Sequence, residues 1–332
     1  MSRRVLVSIV TFNSAHCLRD CLKSLKAQTY TDFIVCLWDN ASADATPDIA
    51  AAYGGFFETC RFSSRNLGFS AGHNRILASN PSDYVLVLNP DVTLDPSFLD
   101  MLVRTMDKDA RAGAATGKLW RSGSPSRKVL DTTGIYFTRN QRHLDRGSEE
   151  IDTGRYDRSE YVFGASGAAA FYRRSMLEEV KAGREYFDES FFAFREDADL
   201  AWRAQWLGWR CIYVPEATGY HVRRVLPQRR ATLPPEINMH SLKNRFLMRV
   251  KNLDAATYLR LFGPITLRDA AALIYVLTRE RSSLRAIPLF VRALPKAWAA
   301  RRALRRHRRV SPREMRTWFS DQPVTRPLQP TE

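Results

Sequence analysis

Three polar clusters in the first hundred residues each follow a short apolar run. Thr11, Phe12 and Asn13 follow Val5–Val10. Asp39, Asn40, Ala41 and Ser42 follow Phe33–Trp38. Asn89, Pro90 and Asp91 follow Tyr84–Leu88. A continuous apolar, β-branched run reads as a strand buried on both faces of a parallel sheet, and ligands of open α/β sheets bind outside the carboxyl ends of such strands. Turn formation explains one cluster of Asn, Asp, Pro and Ser, but explains poorly three that open on one edge. Asp91, held rigidly at a strand end, can ligate a hard divalent ion that bridges a diphosphate. The nearby Asp95 is better placed than Asp91 to cap the next helix.

A second carboxylate, Asp197, heads the segment REDADLAWRA (195–204). On a helix, positions 197, 200, 201 and 204 share a face. Asp197 therefore begins an inward stripe of Leu200, Ala201 and Ala204 at a helix N-terminus. The helix dipole favours its ionised form, and an inward carboxylate near a cleft suits a general base; a helix cap is the competing role. Asp199 and Arg203 form an i, i+4 pair of structural character. His221 closes EATGYH about twenty residues later, and its place relative to Asp91 and Asp197 makes it a metal-ligand candidate. The stretch RNLGFSAGHN (65–74) leads into a helix and offers backbone N–H groups to a phosphate. It is not a GxGxxG fingerprint, and no P-loop is present, so the usual dehydrogenase and NTPase signals are missing.

The elements that position these groups alternate. Strand Val5–Val10 is followed by a helix capped by Asn13 or Ser14, with Leu18, Cys21, Leu22 and Leu25 on its apolar face. Strand Phe33–Trp38 is followed by a helix opening at Thr46 and Pro47. Strand Tyr84–Leu88 is followed by a helix that opens at Asp95 and Pro96 and carries Phe98, Leu99, Leu102, Val103 and Met106 on one face. Such alternation predicts right-handed βαβ units and an open α/β sheet flanked by helices. Residues 121–160 are polar and turn-rich and read as a flap of loops and short strands. Ser175 and Glu178 form a capping-box pattern. A helix over Glu196–Leu207 precedes the strand Cys211–Val214. Beyond residue 225 the chain reads as helical, basic and Pro-punctuated. The expected division is a catalytic domain over 1–225 and a basic helical C-terminal extension over 226–332.

With 332 residues, 45% hydrophobic and 26% charged, the composition is globular. The net charge is +16, and +11 of it lies between Arg279 and Arg316, where 13 Lys and Arg face 2 acids. A basic tail is a contact surface for phosphate-rich material, either nucleic acid or anionic membrane. The tail has only Trp298 and Trp318 to stack bases and no nucleic-acid motif, so no nucleic acid is expected. Over 266–310 its apolar patches are too short to span a bilayer, and Pro288 and Pro295 are expected to divide it into short amphipathic pieces suited to an anionic membrane surface. The five cysteines, Cys17, Cys21, Cys36, Cys60 and Cys211, lack a CxxC pair and read as buried, reduced thiols of a cytoplasmic protein. The N-terminus does not read as a signal peptide.

Together, VSIVTFN (7–13), DNAS (39–42), RNLGFSAGHN (65–74), LNPDV (88–92), FDESFFAFREDADLAWR (187–203) and VPEATGYH (214–221) resemble the inverting glycosyltransferase family 2, with its GT-A type nucleotide-sugar fold. The resemblance is greatest to the bacterial rhamnosyltransferase branch, and HSLKNRFLMRVKN (240–252) shares it more weakly. The resemblance implies that Thr11, Phe12 and Asp39 hold the donor base and ribose. Arg65, Asn66 and Asn74 would line the nucleotide site, with Gly72 permitting close approach and Asn13 and Asn89 also in the donor site. Asp91 stands at the last acid of the family's DxD motif and His221 at a ligand histidine, both for Mg2+ or Mn2+. Asp197 stands at the second acid of the acidic pair, as the general base. The chain departs from the pattern where Asn89 replaces the first DxD acid. It departs again where Val222, Arg223 and Arg224 replace a Gly- or Ser-rich stretch, arginines that can contact the diphosphate directly. The expected reaction is inverting transfer from dTDP-rhamnose, with UDP-sugars as the alternative donors. The expected acceptor is a glycan or lipid-linked glycan of a surface polysaccharide, met at the inner face of the plasma membrane. The reading from a different class is a nucleic-acid-binding protein using the basic tail.

Overall fold

The computed structural model describes residues 4–123, 128–223 and 234–328. The first half runs β1 (Val5–Thr11), α1 (Ala15–Lys26), β2 (Phe33–Asp39), α2 (Thr46–Ala52), β3 (Thr59–Phe62), α3 (Phe69–Ser79), β4 (Tyr84–Leu88), β5 (Val92–Leu94), α4 (Phe98–Lys108) and β6 (Ala112–Arg121). The flap contributes β7 (Leu130–Thr132), β8 (Ile135–Phe137), β9 (His143–Asp145) and β10 (Glu160–Val162). Then come β11 (Ala169–Arg173), α5 (Arg174–Glu179), α6 (Glu196–Trp206) and β12 (Arg210–His221). Helices α7 (Pro235–Asn252), α8 (Ala255–Arg260), α9 (Phe262–Arg279), α10 (Ala286–His307) and α11 (Pro312–Arg316) precede the two-residue β13 (Arg326–Pro327).

Eleven strands form one mixed sheet in the order β13-β10-β12-β6-β11-β4-β1-β2-β3, with β5 and β7 pairing off its path, and β8 and β9 form a separate two-stranded sheet. Strands β1, β2, β3 and β4 are parallel, whereas β11 is antiparallel to both β4 and β6. The alternating side chains of β1 and β4 serve two cores. Val5, Val7, Ile9, Leu86 and Leu88 cluster with Leu18, Leu22, Ile49, Phe98 and Leu102 on one side. Leu6, Val10, Val85 and Val87 cluster with Ile76, Leu77, Met176 and Leu200 on the other. The sheet is thus covered by helices on both faces, as the buried apolar runs require.

Some local expectations change. The cap of α4 is Ser97, not Asp95, whose carboxylate instead accepts the Thr218 hydroxyl of β12. Helix α5 starts at Arg174 without a side-chain cap, and Glu178 accepts a hydrogen bond from the Tyr186 hydroxyl at 2.7 Å instead of closing a capping box. Strand β6 escaped the periodicity because it reads AGAATGKLWR, a composition poor in strand formers. Packing demands those small residues: a Cβ on Gly117 would lie 2.2 Å from the Ala217 carbonyl oxygen. Proline does not divide the tail. Helix α10 is one element of 22 residues with Pro295 inside it. Pro288 falls in its first turn, where no intrahelical N–H bond is lost.

The C-terminal helices share the protein's third core. Leu247 and Met248 of α7 cluster with Phe191, Trp202 and Trp206, and so do Trp318 and Phe319. The boundary expected at 225/226 lies outside the described residues. The Lys251 ammonium donates to Asp188 Oδ2 at 2.7 Å and Asp199 Oδ2 at 2.8 Å, all three buried. Arg203 Nε donates to the same Asp199 oxygen at 3.0 Å and Asn252 Nδ2 to Asp199 Oδ1 at 2.8 Å. Lys296 of α10 reaches Asp188 Oδ1 at 2.9 Å. Burial opposes ionisation of Asp188, but the charges and hydrogen bonds of Lys251 and Lys296 outweigh it and hold the carboxyl far below the usual range.

Removing one partner of a buried ion pair strands the others. Lys251→Met is expected to lower the unfolding free energy by roughly 3–5 kcal/mol, measured by urea unfolding at neutral pH. A variant within about 0.5 kcal/mol of the parent, the range of ordinary surface changes, would show that the network is dispensable.

Candidate active site

Strands β1, β2 and β4 end on one edge, with Thr11 opposite Asp39 and Ile9 opposite Leu88 in register. The three polar clusters therefore open together, as expected. Thr11 Oγ1 donates to Asp39 Oδ1 at 2.7 Å, and Asp39 also accepts the Ser42 hydroxyl at 2.6 Å and the Ser42 N–H at 2.9 Å. Asn13 Oδ1 accepts the Ala43 N–H at 2.8 Å, and the Asn13 N–H donates to Ser42 Oγ at 2.8 Å. Asn13 and Ala41 both take left-handed backbone, φ 52° and 59°. Thr11 and Asp39 are buried, so these groups staple the two loops to each other. Phe12, 51% exposed, and Asn13 carry the accessible surface of this cluster.

The 65–74 stretch is built differently from a phosphate cradle. The Leu67 N–H donates to Asn40 Oδ1, the Gly68 N–H to Asn66 Oδ1 and the Ser70 N–H to the Phe192 carbonyl. Those donors are spent inside the protein. Gly68 has φ +86° and its Cβ would meet the Phe192 oxygen at 2.5 Å, so a glycine is required there. Gly72 permits close approach, but of helix to sheet: its Cβ would lie 2.8 Å from Val10 and 3.2 Å from Trp38. Asn74 is buried and donates to the Phe187 carbonyl while accepting the Tyr186 and Phe187 N–H groups, so its amide clamps a loop. Arg65 is exposed and Asn89 half-buried, next to Asp91.

Asp91 and His221 come together across the β5–β12 pairing, where His221 lies opposite Val92. His221 Nε2 is 3.3 Å from Asp91 Oδ1, and its Nδ1 is 2.7 Å from Asp131 Oδ2. Burial lowers the imidazole pKa, but hydrogen bonds and charge from Asp131 and Asp91 raise it to about 9. Asp131 lies in the flap and escaped the sequence reading because VLDTTG has the look of a turn. A carboxylate behind a ligand histidine fixes its ring and tautomer. Arg223 is not directed at a ligand: it pairs with Asp145 and lies 3.5 Å from Asp131. Arg224 lies outside the described residues. Among the described residues no three His, Cys, Asp or Glu groups surround a metal position. The fit to a hard cation rests on the donor set, a carboxylate oxygen of Asp91 facing the oriented His221 imidazole at 3.3 Å.

Asp197 heads α6 as expected. Its Oδ2 accepts the Gly167 N–H at 2.9 Å and its Oδ1 the Ala198 N–H at 2.7 Å. A Cβ on Gly167 would stand 3.3 Å from the carboxylate, so this glycine admits it. The dipole does not decide its protonation. Burial raises the pKa, the two N–H bonds lower it, the charge of Asp145 raises it and that of Arg195 lowers it; the net shift is upward. The Asp145 carboxylate that pairs with Arg223 thus also acts on Asp197 through its charge. Before α6, Phe192, Phe194 and Arg195 all have positive φ, 65°, 71° and 73°, a strained arrangement that surrounding contacts must impose. Asn244 of α7 imposes it by donating to the carbonyls of Phe191, Ala193 and Phe194 at 2.8–2.9 Å. The signal was present in the sequence, since Asn244 lies in HSLKNRF.

Glu196 is the unassigned half of the acidic pair. Burial and the Asp197 charge push its pKa up from 4.5 to about 8, and its Oε2 has no hydrogen-bond partner. A carboxyl raised in the fold binds a proton that the unfolded chain has released, so stability falls as pH rises from 4.5 to about 8. Glu196→Gln is expected to make thermal stability less pH-dependent across that window, with a gain on the order of a few kcal/mol at its upper end. Parallel stability–pH curves would refute the assignment.

Comparison with known proteins gives one answer. The family model described as glycosyl transferase family 2 matches residues 6–181. The N-acetylglucosaminyl-diphospho-decaprenol L-rhamnosyltransferase of Mycobacterium tuberculosis is 31% identical over 242 residues, which cover 65% of this chain and 75% of the relative. TarS residues 1–349 from S. aureus, solved with UDP-GlcNAc, superposes with a TM-score of 0.55 at 17% identity, over 92% of this chain and 83% of that one. The mannosyltransferase PcManGT from Pyrobaculum calidifontis, solved with GDP-Man and Mn2+, gives 0.52 at 18% identity, over 96% and 83%. The sheet shared with these GT-A enzymes carries the three strand-end clusters on one edge. The chain belongs to glycosyl transferase family 2 and is a glycosyltransferase.

Proposed function

We propose that the enzyme transfers rhamnose from dTDP-rhamnose, with inversion, to a hydroxyl of a lipid-linked glycan in surface polysaccharide synthesis. The single observation that carries the reading is the run of pairs Asp91–His221–Asp131–Arg223–Asp145 at the sheet edge, with the Asp197 carboxylate near enough to feel the Asp145 charge. A proton acceptor and a diphosphate anchor are the two groups that direct displacement needs. The acceptor oxygen attacks the anomeric carbon as the bond from that carbon to the diphosphate oxygen breaks, and Asp197 takes the hydroxyl proton. Its upward-shifted pKa makes it a stronger base than an ordinary carboxylate, while the Gly167 and Ala198 N–H groups fix its orientation. Phe12 offers a ring face to the donor base, with Asn13, Asn89, Arg65 and Asn66 around it and Thr11 and Asp39 holding the loops. Asp91 and His221 would hold Mg2+ or Mn2+, which when bound neutralises the leaving diphosphate.

The 31% identical relative supports rhamnose as the sugar and diphosphate-linked N-acetylglucosamine on a polyprenol as the acceptor class. UDP-sugars are the alternative donors, supported by the fold of TarS. Nucleic acid has no part in this reading. A lipid-linked acceptor confines the reaction to the cytoplasmic face of the plasma membrane.

Asp197→Asn is expected to lower turnover by ~10²–10⁴ with the donor dissociation constant unchanged, read by calorimetry beside a radiolabelled-sugar assay. Near-parental turnover would remove Asp197 from the role of base. In a thermal-shift screen, dTDP-rhamnose with Mn2+ should stabilise the protein more than UDP-glucose, UDP-galactose or GDP-mannose. Asp91→Ala should abolish the Mn2+ increment and weaken Mn2+ binding measured directly by electron paramagnetic resonance. A stronger shift with a UDP- or GDP-sugar would overturn the donor, and an unaltered Mn2+ titration would overturn the ligand.

A further inference from the structure

Helix α9 turns the charged side chains Arg268 and Asp269 toward the protein. Its buried positions are Ile265 and Val276, and Arg268 and Asp269 are half-buried on the same side. Asp269 Oδ2 accepts Arg249 of α7 at 2.7 Å, and Arg245 lies 3.7 Å from its other oxygen. The residues turned to solvent are Phe262 at 51%, Leu267 at 75%, Leu273 at 45%, Ile274 at 61% and Leu277 at 54% exposed, with Ala270 and Ala271 between them. No charged side chain interrupts that outer row from Phe262 to Thr278. An ordinary surface helix shows the reverse arrangement, and contiguous exposed apolar rows mark interaction surfaces.

The charges around the row select the occupant. Residues 255–313 hold 14 Lys and Arg and only two acids, Asp269 and Glu280. Both acids are used within the protein, Asp269 as above and Glu280 buried and accepting the Ser283 hydroxyl. The exposed surface of α8, α9 and α10 therefore presents apolar side chains and cations, with no carboxylate. Arg279, Arg281, Arg285 and Arg292 are exposed around the row. A second copy of the same face would bring like charges together. A bilayer containing anionic lipid complements both parts, the hydrocarbon boundary taking Leu and Ile and the headgroups taking Arg. Among the described residues no helix is long and apolar enough to cross a membrane, which leaves binding in the plane of the surface.

We propose that the outer face of α9, flanked by these arginines, seats the enzyme on an anionic lipid bilayer, with Leu267 and Ile274 inserted at the headgroup boundary. The position serves the proposed reaction. Helix α7 touches α9 through Arg249 and touches the strained loop before Asp197 through Asn244. One helix, α7, thus connects the docking helix to the loop that presents Asp197. The inference rests on the lipid-linked acceptor for its purpose but not for its test.

The test is flotation of the full chain with phosphatidylglycerol–phosphatidylcholine vesicles, and with phosphatidylcholine alone, at low and high salt. The parent should float with anionic vesicles, less so in salt. Leu267→Glu with Ile274→Glu should lower the partition coefficient on the order of a hundredfold. Both positions are open to solvent, so the melting temperature should not move. Arg285→Gln with Arg292→Gln should lower it on the order of tenfold or more, in the anionic vesicles only. A parent that ignores anionic vesicles overturns the proposal, as does a Glu variant that floats like the parent. A concentration-dependent dimer lost in the Glu variant, without vesicle binding, would assign the face to a second copy instead. If the Glu variant stops floating yet the parent transfers no sugar to any polyprenyl-linked acceptor, docking stands and the acceptor reading fails.

Discussion

The ammonium of Lys251, buried between Asp188 and Asp199, is the interaction on which the rest of the molecule depends. Asp188 begins the short turn before the strained loop, and Asp199 lies one turn into the helix that Asp197 heads. Lys251 and Asn252 end α7, and Lys296 brings α10 to the same carboxylate. Breaking such a cluster costs more than forming it gains. Its effect is therefore to specify one arrangement of four segments rather than to add much net stability. The loop at 192–195 holds three residues in left-handed backbone, and neither helix alone could impose that. The network anchors both ends, and Asn244 satisfies the carbonyls between them.

Much of what makes the conserved-looking strings recognisable turns out to be scaffold. Asp39 spends both carboxylate oxygens on Thr11 and Ser42. Asn74 spends its amide on the 186–187 backbone and Asn40 on the 67–68 backbone. Buried polar groups need such partners, and each bond fixes a loop at the sheet edge. What is left facing outward at that edge is a smaller set, with Phe12 and Arg65 exposed and Asp91 held against His221. Precision in those few comes from the many that never face the ligand.

The α/β alternation and the strand-end clusters were legible because buried parallel strands write themselves as apolar runs, and Val5–Val10 and Tyr84–Leu88 are unambiguous. Asp197 at the head of α6 was legible from helical spacing. Strand β6 was not, since its Ala and Gly content answers to the closeness of β12 and not to strand propensity. Asp131 and Asp145 were not, because a carboxylate in a turn-rich segment looks like every other turn residue until the sheet brings it to His221 and Arg223. The unbroken α10 is not legible locally, because a proline's cost is offset by tertiary contacts: α10 is held against α7, with Lys296 on Asp188 and Arg301 on the Val250 carbonyl. The outer face of α9 reads as an apolar run in sequence, and only the inward pairing of Asp269 shows which side faces water.

The charges at the sheet edge interleave carboxylates with cations. The carboxylates of Asp91, Asp131 and Asp145 alternate with His221 and Arg223, whereas Asp197 feels both the Asp145 carboxylate and the Arg195 cation. Where that compensation is thin, the chain retains protons: His221 charges because two carboxylates hold it, and Glu196 stays neutral because Asp197 is beside it. A divalent ion facing Asp91 would take over the charge that the His221 proton supplies. That exchange leaves the imidazole neutral, with Asp131 still orienting it. Among the described residues, a diphosphate brought alone to this edge would meet several carboxylates and few free cations. Under the proposed reading the same donor with its counter-ion would meet a balanced site, and Asp91→Ala would weaken the binding of both together.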